Sequence, residues 1–140
     1  PNLRAFTFSS RLGEVTDIFR SKASEEAIED ALFFWGKGNT DYARAFIDFR
    51  ERCGTDLNSR SVLVVLGDGR NNYYDARADI FRELSNRVKQ VFWLTPETPD
   101  TWGEGDSEMS RYAPHCFRVA TCNRIEHIER FAENLLTAAR

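Results

Sequence analysis

The chain has 140 residues, is 41% hydrophobic and 13% aromatic, and carries a net charge of -3. This fits one folded domain with a real core and excludes a disordered chain. Nine Lys/Arg face ten Asp/Glu in residues 1–60 and ten face twelve in 61–140, so no basic stripe points to nucleic acid, and no apolar run reaches the ~20 residues of a membrane span.

In chain order, Leu3–Phe8 (LRAFTF) alternates as a strand, Ser9–Gly13 is a turn, and Glu14–Phe19 forms an antiparallel edge strand. Ser24 caps a helix with Ile28, Ala31, Leu32 and Trp35 inside, broken at Gly36–Asn39. Tyr42–Cys53 is a helix with Tyr42, Ala45, Phe46, Phe49 and Cys53 on one face. The unbroken apolar run to Leu66 implies a strand covered on both faces, as in parallel sheets. Asp75 opens a helix whose inner face is Ala76, Ile80, Phe81, Leu84 and Val88. Gln90–Thr95 is a buried strand, 96–110 a long acidic loop, and Cys116–Ala120 a short strand. Asn123 caps a last helix with Ile125, Ile128, Phe131, Ala132, Leu135 and Leu136 inside. The alternation gives an α/β, Rossmann-like class: a mostly parallel sheet with helices on both faces. Three cysteines, odd in number and sparse, suit a reducing cytoplasm.

The chemistry concentrates where ligands of such sheets sit, at the strands' carboxyl ends. Asp68 stands there between Gly67 and Gly69, two glycines that let a metal or phosphate approach closely. A plain Asp-Gly turn accounts for the same residues. The run Gly67–Asn72 (GDGRNN) also resembles the Mg²⁺ loop of haloacid dehalogenase-like phosphatases, with Asn72 in place of that loop's last aspartate. That enzyme needs an aspartyl nucleophile after an earlier strand, and Phe8, Ser9 and Ser10 supply none. His115, Cys116, Cys122 and His127 have no zinc spacing.

Five segments in order resemble the von Willebrand factor A (VWA) domain, specifically its bacterial CoxE-like branch: Phe6–Leu12 (FTFSSRL), Gly38–Asp41 (GNTD), Leu66–Asn72 (LGDGRNN), Val91–Pro96 (VFWLTP), and Trp102–Met109 (WGEGDSEM) with Tyr112–Pro114. The resemblance implies a non-enzymatic binding domain with a metal ion-dependent adhesion site (MIDAS). Thr40 and Asp68 match two ligands of a Mg²⁺ or Mn²⁺ ion whose open position takes a partner's carboxylate. Asp41, Arg70, Asn71, Asn72, Tyr73 and Trp102 are the partner-contacting candidates around it, and Thr40 serves equally as a helix cap. The implied partner is a MoxR-type AAA+ ATPase in metal-centre or complex maturation. The family's first strand and its Asp-x-Ser-x-Ser loop have no counterpart in the sequence. Residues 1–140 therefore read as a single VWA-like domain truncated at its N-terminus, with metal binding dependent on that loop being supplied. A parallel sheet without that strand would have bare edges, so an extended chain should melt higher and hold Mg²⁺ more tightly.

Overall fold

The computed structural model describes residues 3–17, 26 and 39–138. The helix expected after Ser24 lies outside these residues, apart from Glu26, which is helical. Strand β1 (Phe6–Phe8) pairs antiparallel with β2 (Leu12–Glu14), and Val15 N–H extends the ladder to the Ala5 carbonyl at 2.9 Å. The hairpin forms earlier than expected, with Leu12 and Gly13 in the strand rather than the turn. The reason is a tight Ser9–Arg11 reversal, closed by Ser9 N–H on the Arg11 carbonyl. Leu12 and Val15 can then both bury.

Helix α1 spans Tyr42–Cys53, as its periodicity predicts. Strand β3 (Val62–Leu66), helix α2 (Ala78–Arg87), strand β4 (Gln90–Thr95), the short helix α3 (Met109–Tyr112), strand β5 (Arg118–Thr121) and helix α4 (Ile125–Ala138) follow. The three strands β3-β4-β5 form a parallel sheet in that order. The class is α/β with a parallel sheet, as expected. Side chains of β4 alternate between faces. Trp93 points to the side of α1, α2 and α3, where it meets Tyr42, Phe81 and Tyr112. Phe92 points to the other side and takes the edge of Phe131 from α4, with ring centroids 5.1 Å apart.

The core is aromatic. Trp93 and Tyr112 stack at 5.1 Å and 14°, and Phe46 meets Phe81 at 4.9 Å. The α2 face is buried as its spacing predicts at Ile80, Phe81 and Leu84, and Ala76 and Val88, which flank the helix, are buried with it, all at most 8% exposed.

Several expectations are corrected. Strand β3 is not covered on both faces. It is the edge strand among the described residues, and Val62 and Leu66, which share one face of it, are exposed because that face is left uncovered there. Helix α2 starts at Ala78, after Arg77, because Asp75 folds back to accept from Arg77 N–H. The acidic loop ends in α3, which begins at Met109 and whose Met109 and Tyr112 are wholly buried; an i, i+3 pair is too short a pattern to announce a helix. In α4, Ile128 and Ala132 are exposed, while Ile125 and Leu136 side chains lie outside the described set.

Candidate functional site

Three segments converge at the carboxyl end of the sheet: residues 39–41 before α1, the β3–α2 connection, and the β4–α3 connection. The sequence makes the middle one a turn, and long-range hydrogen bonds make it a fixed one.

Asn71 is the keystone, and it is wholly buried. Its Oδ1 accepts from Tyr42 N–H at 2.6 Å, satisfying a donor at the start of α1. Its Nδ2 donates to the carbonyls of Tyr74 and Asp75, both at 3.1 Å. This corrects its expected place on the partner-facing surface: its amide is spent inside the protein. Asn72, next in sequence, is exposed at φ 53°; its Nδ2 donates to the Thr40 carbonyl and its N–H to Asp106 Oδ2. The loop bearing Asp68 is thus tied to the one bearing Thr40. The Thr40 segment is also held from below, where Asp41 N–H donates to the Ser9 carbonyl.

Thr40 does not cap α1. Asp41 does, accepting from Arg44 N–H at 3.1 Å, so that carboxylate is engaged locally. The Thr40 hydroxyl makes no hydrogen bond among the described residues.

Asp68 is half-buried and accepts from Arg70 N–H at 2.9 Å. The two glycines beside it do not open space for a ligand. A Cβ on Gly67 would lie 2.1 Å from the Tyr42 hydroxyl, and one on Gly69 (φ +71°) 2.4 Å from Met109 Sδ. The chain uses glycine there because core side chains fill the room. Tyr42 hydroxyl accepts from Gly69 N–H at 3.1 Å, and Trp93 indole donates to the Gly67 carbonyl at 2.9 Å. Burial first, and the nearby Asp68 charge after it, push the Tyr42 phenol above its ordinary range. Sequence reading placed Tyr42 in the core and missed its hydroxyl at the site. No local signal distinguishes the two.

Arg70 is not free for a partner. It grips Glu97 with Nε and Nη2, each at 2.7 Å, and Asp106 with Nη1 at 2.9 Å. An isolated bridge between Arg70 and Ser107, and Glu108 N–H on the Gly69 carbonyl, complete the seam between the two connections. Glu97 and Asp106, which the sequence offers only as part of a long acidic loop, are the anchors of this clamp. Trp102 packs partly buried against the core with its indole N–H enclosed and unpartnered, so it is not the surface aromatic expected. Tyr73 and Tyr74 are exposed, at 81% and 45%.

A family model described as a VWA domain containing CoxE-like protein matches residues 1–130. This chain belongs to that family. No curated protein matches the chain, and no solved structure does.

In this CoxE-like VWA domain the oxygen donors Thr40 and Asp68 suit a hard divalent ion in kind. They fall short in number: among the described residues no group of three or more His, Cys, Asp or Glu side chains could hold a metal. Cys116 is no ligand candidate, since burial pushes its thiol up to about 12 while Sγ–H donates to the Tyr112 carbonyl.

The clamp has a pH signature. The hydrogen bonds from Arg70 hold Glu97 and Asp106 below their ordinary 4.5 and 3.8. Their folded values are depressed, so the clamp's stabilisation is complete above the ordinary values and is lost as pH falls through the depressed ones. An Arg70→Gln variant should therefore lose less stability on acidification below about pH 4 than the parent. Denaturant midpoints at pH 7 and pH 3 measure this, and parallel losses in both proteins would discount the clamp.

Proposed function

We propose that this domain is a non-enzymatic protein-binding module whose partner docks at the carboxyl end of the sheet, with Asp68 and Thr40 contributing to a Mg²⁺-dependent adhesion site. The reading is supported chiefly by the family match, and by the tie between the two loops that carry these oxygens. Mg²⁺ demands oxygen, keeps several waters, and leaves a position for a partner's carboxylate. The role of the chain's own residues is to orient: the Arg70 N–H fixes one Asp68 oxygen, and Asn72 ties the Thr40 carbonyl to the same loop.

The setting we propose is cytoplasmic, with a MoxR-type AAA+ ATPase as partner in metal-centre or complex maturation. The three cysteines, all unpaired, accord with a reducing compartment. Among the described residues no helix is long and apolar enough to cross a membrane. No observation favours the phosphatase alternative.

Two side-chain oxygens should hold Mg²⁺ only weakly, since it gives up its waters reluctantly. Asp68→Ala should abolish the Mg²⁺ response, measured by calorimetric titration. The variant should keep its metal-free stability within about 1 kcal/mol, because a half-exposed carboxylate adds little to the core. A Mg²⁺ response that survives Asp68→Ala would sink the metal reading. A metal-free variant that no longer folds would make Asp68 a structural residue.

A further inference from the structure

We infer that the partner surface beside this site takes a basic protein segment, an arginine or lysine lying on Tyr73 with its charge among the carboxylates of Glu104 and Asp106. The inference rests on the reading that this end of the sheet is the binding end, but it needs no metal.

The first observation is Tyr73 itself. It is 81% exposed, yet its loop is pinned before and after it: Asn72 N–H meets Asp106 Oδ2, and Tyr74 N–H donates to the carbonyl of the wholly buried Asn71. A large aromatic ring held out on a fixed backbone loses little entropy when it is covered, the property of interface anchors. Tyr74 extends the aromatic surface.

The second observation is what surrounds the ring. The Tyr73 hydroxyl lies 3.9 Å from where a Gly105 Cβ would be, and Arg70 Nη1 lies 3.4 Å from the same point, so the tip of the phenol reaches the 104–106 segment that Arg70 holds. Arg70 is the guanidinium there. It pairs with Glu97 and Asp106, while Glu104 is exposed and has no ion pair among the described residues. One cation against three carboxylates leaves this rim net negative beside an exposed aromatic ring. A guanidinium or ammonium satisfies both features, stacking on the ring and pairing with the carboxylates. An acidic segment would meet repulsion everywhere except at a bound metal. The two modes are compatible: the partner's carboxylate on the ion, its cations on the rim.

The test is binding of a short flexible peptide carrying three arginines, against the same peptide with glutamates, by fluorescence anisotropy in EDTA and low salt. The arginine peptide should bind at least tenfold more tightly. Tyr73→Ala should weaken it about fivefold while Tyr73→Phe retains it, since the ring and not the hydroxyl holds the cation. Glu104→Gln should weaken it about twofold to threefold, while Glu51→Gln, an exposed carboxylate on α1, leaves it unchanged. Equal binding of the two peptides, tighter binding of the glutamate peptide, or equal effects of Glu104→Gln and Glu51→Gln would overturn the proposal. So would a Tyr73→Ala variant that binds as the parent does. Because metal is absent throughout, failure here leaves the Mg²⁺ titration with Asp68→Ala to judge the adhesion site by itself.

Discussion

Asn71→Ala is expected to destabilise the domain by about 2–4 kcal/mol, lowering the melting temperature by roughly 10 °C. The side chain is wholly buried and makes three hydrogen bonds, one to the start of α1 and two to its own loop. Removing it leaves Tyr42 N–H and two carbonyls without these partners, and buried groups left unpaired cost more than the bonds were worth. Asn71→Asp separates the two halves of the role. It keeps an acceptor for Tyr42 N–H but sets a carboxylate against two carbonyls, so it should be no milder. Asn72→Ala, one residue on, should cost less than about 1 kcal/mol, since that side chain is exposed and has one partner. Thermal melts of the three variants decide the matter. An Asn71→Ala protein within about 1 kcal/mol of the parent would mean that water replaces the amide and that the keystone role is wrong.

Trp93→Ala should cost about 3–5 kcal/mol, a large share of the 5–15 kcal/mol that holds a typical domain together. Trp93 is wholly buried at the centre of the aromatic core, against Tyr42, Phe46, Phe81 and Tyr112. The cavity left by the indole cannot collapse easily, because its neighbours are rigid rings carried by three different helices. The residue also reaches the site, donating to the carbonyl of Gly67 immediately before Asp68. Trp93→Phe keeps most of the packing and deletes that donor. It should cost about 1–3 kcal/mol and loosen the Asp68 loop, read as faster amide exchange at Gly67 and Gly69. If Trp93→Ala melted like the parent, the aromatic cluster would not be the core described here. Unchanged exchange in Trp93→Phe would detach the core from the site.

Local pattern carried the elements whose burial repeats within the element. Tyr42–Cys53 and Gln90–Thr95 appear with the bounds their periodicity implies, and the α2 face of Ile80, Phe81 and Leu84 is buried as spaced. The ordered motifs carried the family. What pattern could not carry is which of two like neighbours turns inward. Asn71 and Asn72 are the same residue in the same turn, yet one is the keystone and the other faces water. Gly67 and Gly69 are required by a tyrosine hydroxyl and a methionine from other elements, not by a ligand. Arg70 is drawn to Glu97 and Asp106, 27 and 36 residues further along. Strand β3 reads as covered on both faces from its five apolar residues, but its place at the edge of the described sheet depends on which strands lie beside it. The difference is physical. Helix and strand periodicity is fixed by backbone geometry within a few residues, whereas the partner of a loop side chain is fixed only when distant segments meet and leave one polar group for another to satisfy.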